Sequence, residues 1–433
     1  MKKNFIWKLH SWTGLYAGLA IAFLSLTGTA ALFRIEADHI LNPDLRKVDV
    51  GNQQVSLNTA VESVKKQYEN LELFEVELPK TQDGSWNIRF QSESDSKLFP
   101  VFWEVFVDPY SGKTLGDRNY YKTFSYYLRN IHVRFYEGYF GRQIVGLAGI
   151  ALVISSITGL LIYGRFTKRQ NFGKIRNKNI RTQQADYHKY IGITALVFNL
   201  MIAITGAWLG LQVYLQKWMH IDRPNTYISS NSVRIKNQSS IDFDLALIKA
   251  KSEFPELIPT IIRPTKNGTV EVIGDVAGKV YERNSNKLVL STADYSTLFK
   301  YNISEATASH KLFFIQEALH FGDFGGFTLK LIYGLFGLTT GFLSLSGFII
   351  YLERTKKQRA VKPSFQELGP VLWKYTFGLL AFCLITMIMS LIWGIGVPTL
   401  IVSVIFYSLL IFISMKVTFK FIINMFRRFT LYH

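Results

Sequence analysis

Leu9–Phe33 reads LHSWTGLYAGLAIAFLSLTGTAALF, a histidine at the mouth of a long apolar run that closes on Thr27-Gly28. The pattern returns at His188, where HKYIGITALVFNLMIAITGAWLGL again carries Gly at the fourth position after the histidine and Thr-Gly at the seventeenth and eighteenth. A leader that is cut off has no reason to recur inside the chain, so Leu9–Phe33 is expected to be a retained membrane helix. The recurrence itself points to a duplication.

Two further runs extend the repeat. His132–Arg169, with VGLAGIALVISSITGLLIYGRFTKR, aligns without gaps on His320–Lys357, with YGLFGLTTGFLSLSGFIIYLERTKK. The alignment pairs His132 with His320, Gly146 with Gly334, Gly149 with Gly337, Gly159 with Gly347 and Tyr163 with Tyr351. The unit is therefore span, polar insert, span, and two copies that start on the same side are parallel repeats.

Six apolar runs, Leu15–Phe33, Ile144–Tyr163, Ile191–Val213, Leu331–Tyr351, Leu372–Trp393 and Leu400–Ile423, are each long enough to cross a bilayer. At about 1.5 Å per residue they cover a hydrocarbon core of roughly 30 Å. Gly394 to Pro398 reads as a tight hairpin between the last two. The net charge of +18 would suggest nucleic acid if the basic residues were dispersed. Instead they flank the spans: Lys2, Lys3 and Lys8 before the first, Arg165 to Arg181 after the second, Arg354 to Lys362 after the fourth, and Arg427 and Arg428 after the last. This is the positive-inside pattern, which excludes nucleic acid as the reason for the charge and puts both termini on the cytoplasmic side of an inner membrane. The single cysteine, Cys383, rules out internal disulfides and cysteine-ligated zinc or iron–sulfur centres.

The expected organisation is helix 1 in 1–36, a periplasmic domain in 37–139, helix 2 in 140–164, a basic cytoplasmic loop in 165–189 and helix 3 in 190–215. A second periplasmic domain in 216–327, helix 4 in 328–352, a linker in 353–370 and a hairpin of helices 5 and 6 in 371–433 complete it. In the first insert, Leu57–Tyr68 predicts an amphipathic helix, and Leu73–Leu78, Trp86–Phe90 and Phe102–Val107 predict strands before the Asp108–Gly112 turn. The second predicts a helix over Phe243–Phe254 and strands at Thr260–Arg263, Val270–Ile273, Lys279–Arg283 and Leu288–Ser291. Each reads as a small α+β domain.

The histidines carry the chemistry. A lone histidine at a membrane edge is often only interfacial, but His10 and His188 occupy equivalent repeat positions, as do His132 and His320. Two-fold related helices point equivalent side chains at a common axis. Gly14 and Gly192 share the histidine face one turn on, where small residues admit either a close helix or a flat macrocycle. A four-helix bundle with one histidine pair toward each membrane face is what two bis-histidine haem b groups require. His132 and His320 are expected about 18 Å before the starts of their spans if each helix runs on. His39, His220 and His310 lack histidine counterparts and stand as substitute ligands or supporting groups; His433 is expected to be solvated. No HExxH, Walker loop or strand-linked GxGxxG is present, so a flavin or nicotinamide would belong to a partner. The six apolar runs contain no Asp or Glu, unlike the spans of proton-coupled transporters.

With these residues in view, about Lys8 to Lys357 resembles the PepSY-associated transmembrane helix family, the PiuB-like iron-regulated membrane proteins that include siderophore reductases. The resemblance rests on LHSWTG with Leu26-Thr-Gly28, Ile131-His132 with Ile157-Thr-Gly159, His188-Lys-Tyr-Ile-Gly192 with Ile204-Thr-Gly206, Leu319-His320 with Leu345-Ser-Gly347, and Val107-Asp-Pro-Tyr-Ser-Gly112. It implies an α-helical polytopic membrane protein with a duplicated four-helix core, two small PepSY-like α+β periplasmic domains and an added C-terminal hairpin. It also implies an oxidoreductase with two haem b groups, passing electrons from a cytoplasmic flavoprotein or quinol to a ferric siderophore or other ferric complex. The alternative is a non-catalytic membrane-anchored protein whose PepSY-like domains bind or restrain a periplasmic peptide or protease. The chain departs from the pattern at Ser346, where the other repeats have Thr, and in the second insert, which lacks a clear Asp-Pro-x-x-Gly turn.

Overall fold

The structure is a computed structural model that describes residues 3–92, 102–135, 138–166, 172–220, 222–227, 241–278, 280–281 and 283–355. The expected spans five and six, Cys383 and His433 lie outside the described residues.

The first half begins with α1 (Lys3–Tyr16), α2 (Gly18–Leu32), α3 (Arg34–Leu41) and the short α4 (Pro43–Arg46). It continues through α5 (Leu57–Gln67), β1 (Leu71–Glu77), β2 (Trp86–Ser92), β3 (Phe102–Val107), β4 (Thr114–Asn119), α6 (Phe124–Arg134) and α7 (Gly138–Phe166). The second half runs in the same order but, among the described residues, without counterparts of α3 and α4: α8 (Ile180–Thr194), α9 (Leu196–Met219), α10 (Phe243–Glu253), β5 (Leu257–Pro264), β6 (Thr269–Val276), β7 (Asn286–Ser291), β8 (Thr297–Tyr301), α11 (Ala308–Phe321) and α12 (Gly326–Thr355).

Among the described residues, Gly141–Gly164, Leu196–Met219 and Asp323–Arg354 are long and apolar enough to cross a membrane. The first expected span is not one straight rod: Phe5–Tyr16 and Gly18–Leu32 meet at 57°. The break at Ala17 lies seven residues after His10, and the boundary between α8 and α9 at Ala195 lies seven residues after His188. Each histidine thus sits on a separate segment that leads into the membrane helix. The helices cross through small residues. A Cβ on Gly210 would fall 2.5 Å from the Cα of Gly146, so α7 and α9 touch backbone to backbone. On the other side, Gly334 and Gly337 of α12 pack on Phe33 and Thr29 at the end of α2.

The inserts differ from two separate small sheets. Their strands form one antiparallel sheet in the order β4-β3-β2-β1-β5-β6-β7-β8, joined where Val76 pairs with Ile262 and Glu77 with Ile261. β4 and β8 were not predicted, because TLGDRN and TLFKY offer little apolar alternation. The strand expected over Lys279–Arg283 is absent at the residues described there, and β7 begins at Asn286. The predicted helices recur as α5 and α10 with ends moved by one residue.

Period-two alternation sorts the sheet faces. Ile88, Phe90, Val105 and Val107 are fully buried, in one core with Leu57 and Val61 of α5 and Phe243 and Phe254 at α10. Ser56 caps α5 by accepting from Thr59 N at 3.1 Å, and Asp242 caps α10. Asp244 of α10 crosses to the same α5 end, accepting from Leu57 N at 3.0 Å and Asn58 N at 3.1 Å. The opposite sheet face holds ion pairs. Glu104 is fully buried and accepts from Asn87, Arg89 and Arg118 at 2.9–3.2 Å; Glu75 joins the halves by accepting from Arg89 at 2.9 Å and Arg263 at 2.6 Å. Burial alone would raise the Glu104 carboxyl, but Arg89, Arg118 and Arg46 outweigh it and hold the pKa below the ordinary glutamate range.

Candidate functional site: two histidine pairs

The fold brings four of the sequence-predicted histidines together as two pairs. The His10 and His188 ring centres are 6.2 Å apart, and those of His132 and His320 are 6.3 Å apart. His39 and His220 are instead exposed, His220 as the left-handed residue that ends α9. His310 lies beside Tyr301, with ring centres 6.1 Å apart. None of these three is brought to another histidine among the described residues.

The second pair reaches its place by a route the sequence reading did not anticipate. The helix bearing His132 does not run on into the next span, because α6 ends at Arg134 and Phe135 turns left-handed with φ 48°. α6 folds back along α2, and His132 packs against Thr27 and Gly28. Gly322, with φ 61°, ends α11 after His320 in the same manner.

Each imidazole rests in a cradle made by the Thr-Gly or Ser-Gly step of the long helix in its own half. His10 Nδ1 lies 3.1 Å from the Ser155 carbonyl and 3.0 Å from Thr158 Oγ1; His188 Nδ1 is 2.9 Å from Ser346 Oγ. His132 Nδ1 is 3.3 Å from Thr27 Oγ1, and His320 Nδ1 is 3.0 Å from Thr205 Oγ1. The hydroxyl protons are used on their own helices: Thr27 donates to Phe23 O, Thr158 to Ile154 O, Thr205 to Met201 O and Ser346 to Leu343 O. Each hydroxyl therefore accepts, and each histidine donates from Nδ1–H. That assigns the tautomer and leaves every Nε2 with its lone pair available to a metal.

The glycine after each hydroxyl makes room for the ring. A Cβ on Gly28 would lie 2.7 Å from His132 Cε1, on Gly159 3.2 Å from His10 Cε1, on Gly206 3.2 Å from His320 Cε1, and on Gly347 3.4 Å from His188 Cε1. The repeat shows the Thr-Gly step without assigning it any chemistry. Its recurrence at fixed offsets from all four histidines was the available signal.

A cavity of about 290 Å³ opens beside the first pair, walled by both histidines and by Gly14, Gly18, Gly159, Gly192 and Gly347. A Cβ on Gly14 would meet nothing within 4 Å, so this glycine borders open space and serves no close helix contact. Arg176, Lys189 and Arg354 also line the cavity; Arg176 and Lys189 each pair with Asp186 at 2.8 Å.

The donor set fits a bis-imidazole haem. Metal–imidazole bonds of about 2.0–2.1 Å place the ring centres of two axial ligands roughly 6 Å apart. Both pairs have that spacing, with Nδ1 engaged and Nε2 available. Among the described residues, no group of three or more His, Cys, Asp and Glu side chains comes together as a zinc centre would need.

Comparison with known proteins agrees with the architecture. A match of 32% identity over 84 residues, 19% of this chain and 21% of the other, links it to an uncharacterized protein of Pseudomonas aeruginosa. The chain thus spans about a fifth of that curated relative. A family model described as the PepSY-associated TM region matches residues 7–354, which contain both histidine pairs, all four cradles and the whole sheet, and the chain belongs to that family of membrane proteins.

Proposed function

We propose that this protein is a di-haem b reductase of the inner membrane. His10 and His188 hold one haem toward the cytoplasm, and His132 and His320 hold the other toward the periplasm. The observation that carries this reading is the matched geometry of the pairs, at 6.2 and 6.3 Å, each with Nδ1 donating to a hydroxyl. Bound iron porphyrin supplies reversible one-electron transfer. The chain's own residues orient the ligands, keep Nε2 unprotonated, and wall the sites with apolar helix faces that exclude water.

In this reading the core is a duplicated unit, the termini are cytoplasmic and the joint sheet is periplasmic. A cytoplasmic flavoprotein or quinol gives up electrons singly. Each one reduces an Fe(III) to Fe(II) in a ferric siderophore or other ferric complex on the far side, releasing iron for uptake.

Protein purified from haem-replete cells is expected to be red, to carry two haems per chain, and to show a Soret band that shifts on dithionite. Mixing the reduced protein with a ferric siderophore and an Fe(II)-specific dye should yield Fe(II) and return the Soret band to its oxidised position. A colourless preparation would overturn the reductase and leave the non-catalytic reading.

A further inference from the structure

The two pairs match in spacing but not in orientation. The planes of His10 and His188 cross at 81°, whereas those of His132 and His320 lie within 24° of parallel. The two cradles of the first pair also differ in their side chains. His10 is held doubly, by the Ser155 carbonyl and the Thr158 hydroxyl, and the Ser155 hydroxyl is tied to Thr13 at 2.8 Å.

His188 rests on Ser346, the one cradle hydroxyl without a γ-methyl, and a Cβ built on Gly347 would lie 3.4 Å from its ring, the widest such gap of the four cradles. The Ser346 residue is 1% exposed, so its hydroxyl is committed to this contact and to its own helix. Serine brings no γ-methyl beside the ring, where the branched β-carbon of a threonine would place one. The ring it carries can therefore settle across His10 instead of parallel to it.

We propose that these cradles make the haem sites inequivalent, with crossed axial imidazoles at the first pair and near-parallel ones at the second. Ser346 is the positioning residue for the crossed pair. The inference rests on the di-haem reading and adds a property that reading does not require. In low-spin ferric haem, crossed imidazole planes leave two iron d orbitals close in energy and give a strongly anisotropic electron paramagnetic resonance signal. Parallel planes separate those orbitals and give an ordinary rhombic signal. The same hydrogen bonds tune metal electronics through the ligand.

The test is the resonance spectrum of the oxidised full-length protein with haem content measured beside it. Wild type is expected to show one strongly anisotropic and one rhombic low-spin signal in equal amounts. Ser346→Ala should keep two haems and lose or narrow the anisotropic signal alone; Thr205→Ala should alter the rhombic signal alone. If Ser346→Ala releases a haem, Ser346→Thr is read in its place, because it keeps the hydroxyl, adds the methyl, and should move the anisotropic signal toward the rhombic class.

Two haems with identical signals would overturn this inference and leave the di-haem reading standing. So would a Ser346→Thr spectrum unchanged from wild type. A protein without haem ends both.

Discussion

His320 Nδ1 lies 3.0 Å from the hydroxyl of Thr205, whose proton is given to the Met201 carbonyl 2.7 Å away, so the imidazole is the donor. This contact orients a buried imidazole and assigns its tautomer. Thr205→Val keeps the shape and deletes the acceptor. Supporting hydrogen bonds of this kind are worth about 10–100-fold in metal affinity. Thr205→Val is therefore expected to lose haem from the second pair by at least about tenfold faster on dilution, with Thr205→Ser near wild type. Haem transfer to apomyoglobin, followed by absorbance, measures it; equal rates for Val and Ser would refute the cradle.

Gly28→Ala puts a methyl 2.7 Å from His132 Cε1, closer than real Cβ contacts come. The ring must move, and haem content is expected to fall from two to about one, with the first pair intact. Gly164→Ala places its methyl where nothing lies within 4 Å and serves as the control, keeping two. Pyridine haemochrome assay of both variants decides the matter.

The β1–β5 junction is reinforced by Asp244, which reaches from the second half to the first turn of α5. Charged hydrogen bonds contribute about 1.5–3 kcal/mol, and lost N-caps cost about 0.5–2 kcal/mol. Asp244→Ala is expected to destabilise the sheet by roughly 2 kcal/mol without changing haem content, as read by thermal unfolding of the far-ultraviolet signal against the Soret signal.

Acid should loosen the same sheet. The folded-state pKa of Glu104 lies below the ordinary value of 4.5, as burial is outweighed by Arg89, Arg118 and Arg46. Its stabilisation is complete above that value and is lost as pH falls through the lower, folded-state pKa. Asp38 adds to the effect: burial is opposed by Arg118 and Arg46, and its pKa lies below 3.8. Unfolding temperature should therefore be flat above about pH 5 and fall below pH 4. In Glu104→Leu that slope should shrink and the neutral-pH stability should drop by roughly 3–5 kcal/mol, the usual cost of stranding a buried partner charge.

The sequence by itself determined the membrane class, the apolar spans, α5, α10 and most strands, and the equivalence of His10 with His188 and of His132 with His320. Those features are written in local periodicity and in a repeat that survives as equally spaced histidines and glycines. Tertiary structure alone decided the rest. The bend at Ala17 is a single-residue backbone event among apolar neighbours that leaves the hydropathy signal unbroken, and the reversal at Phe135 is a single left-handed residue that no glycine announces. The β1–β5 pairing that merges two inserts joins residues about 185 positions apart through two pairs of partners, a contact that no local pattern encodes. Thr27, Thr158, Thr205 and Ser346 were visible from the start as a recurring step. Their partners lie 105 to 158 residues away, so only folding could show that each hydroxyl holds a histidine and each glycine leaves it space.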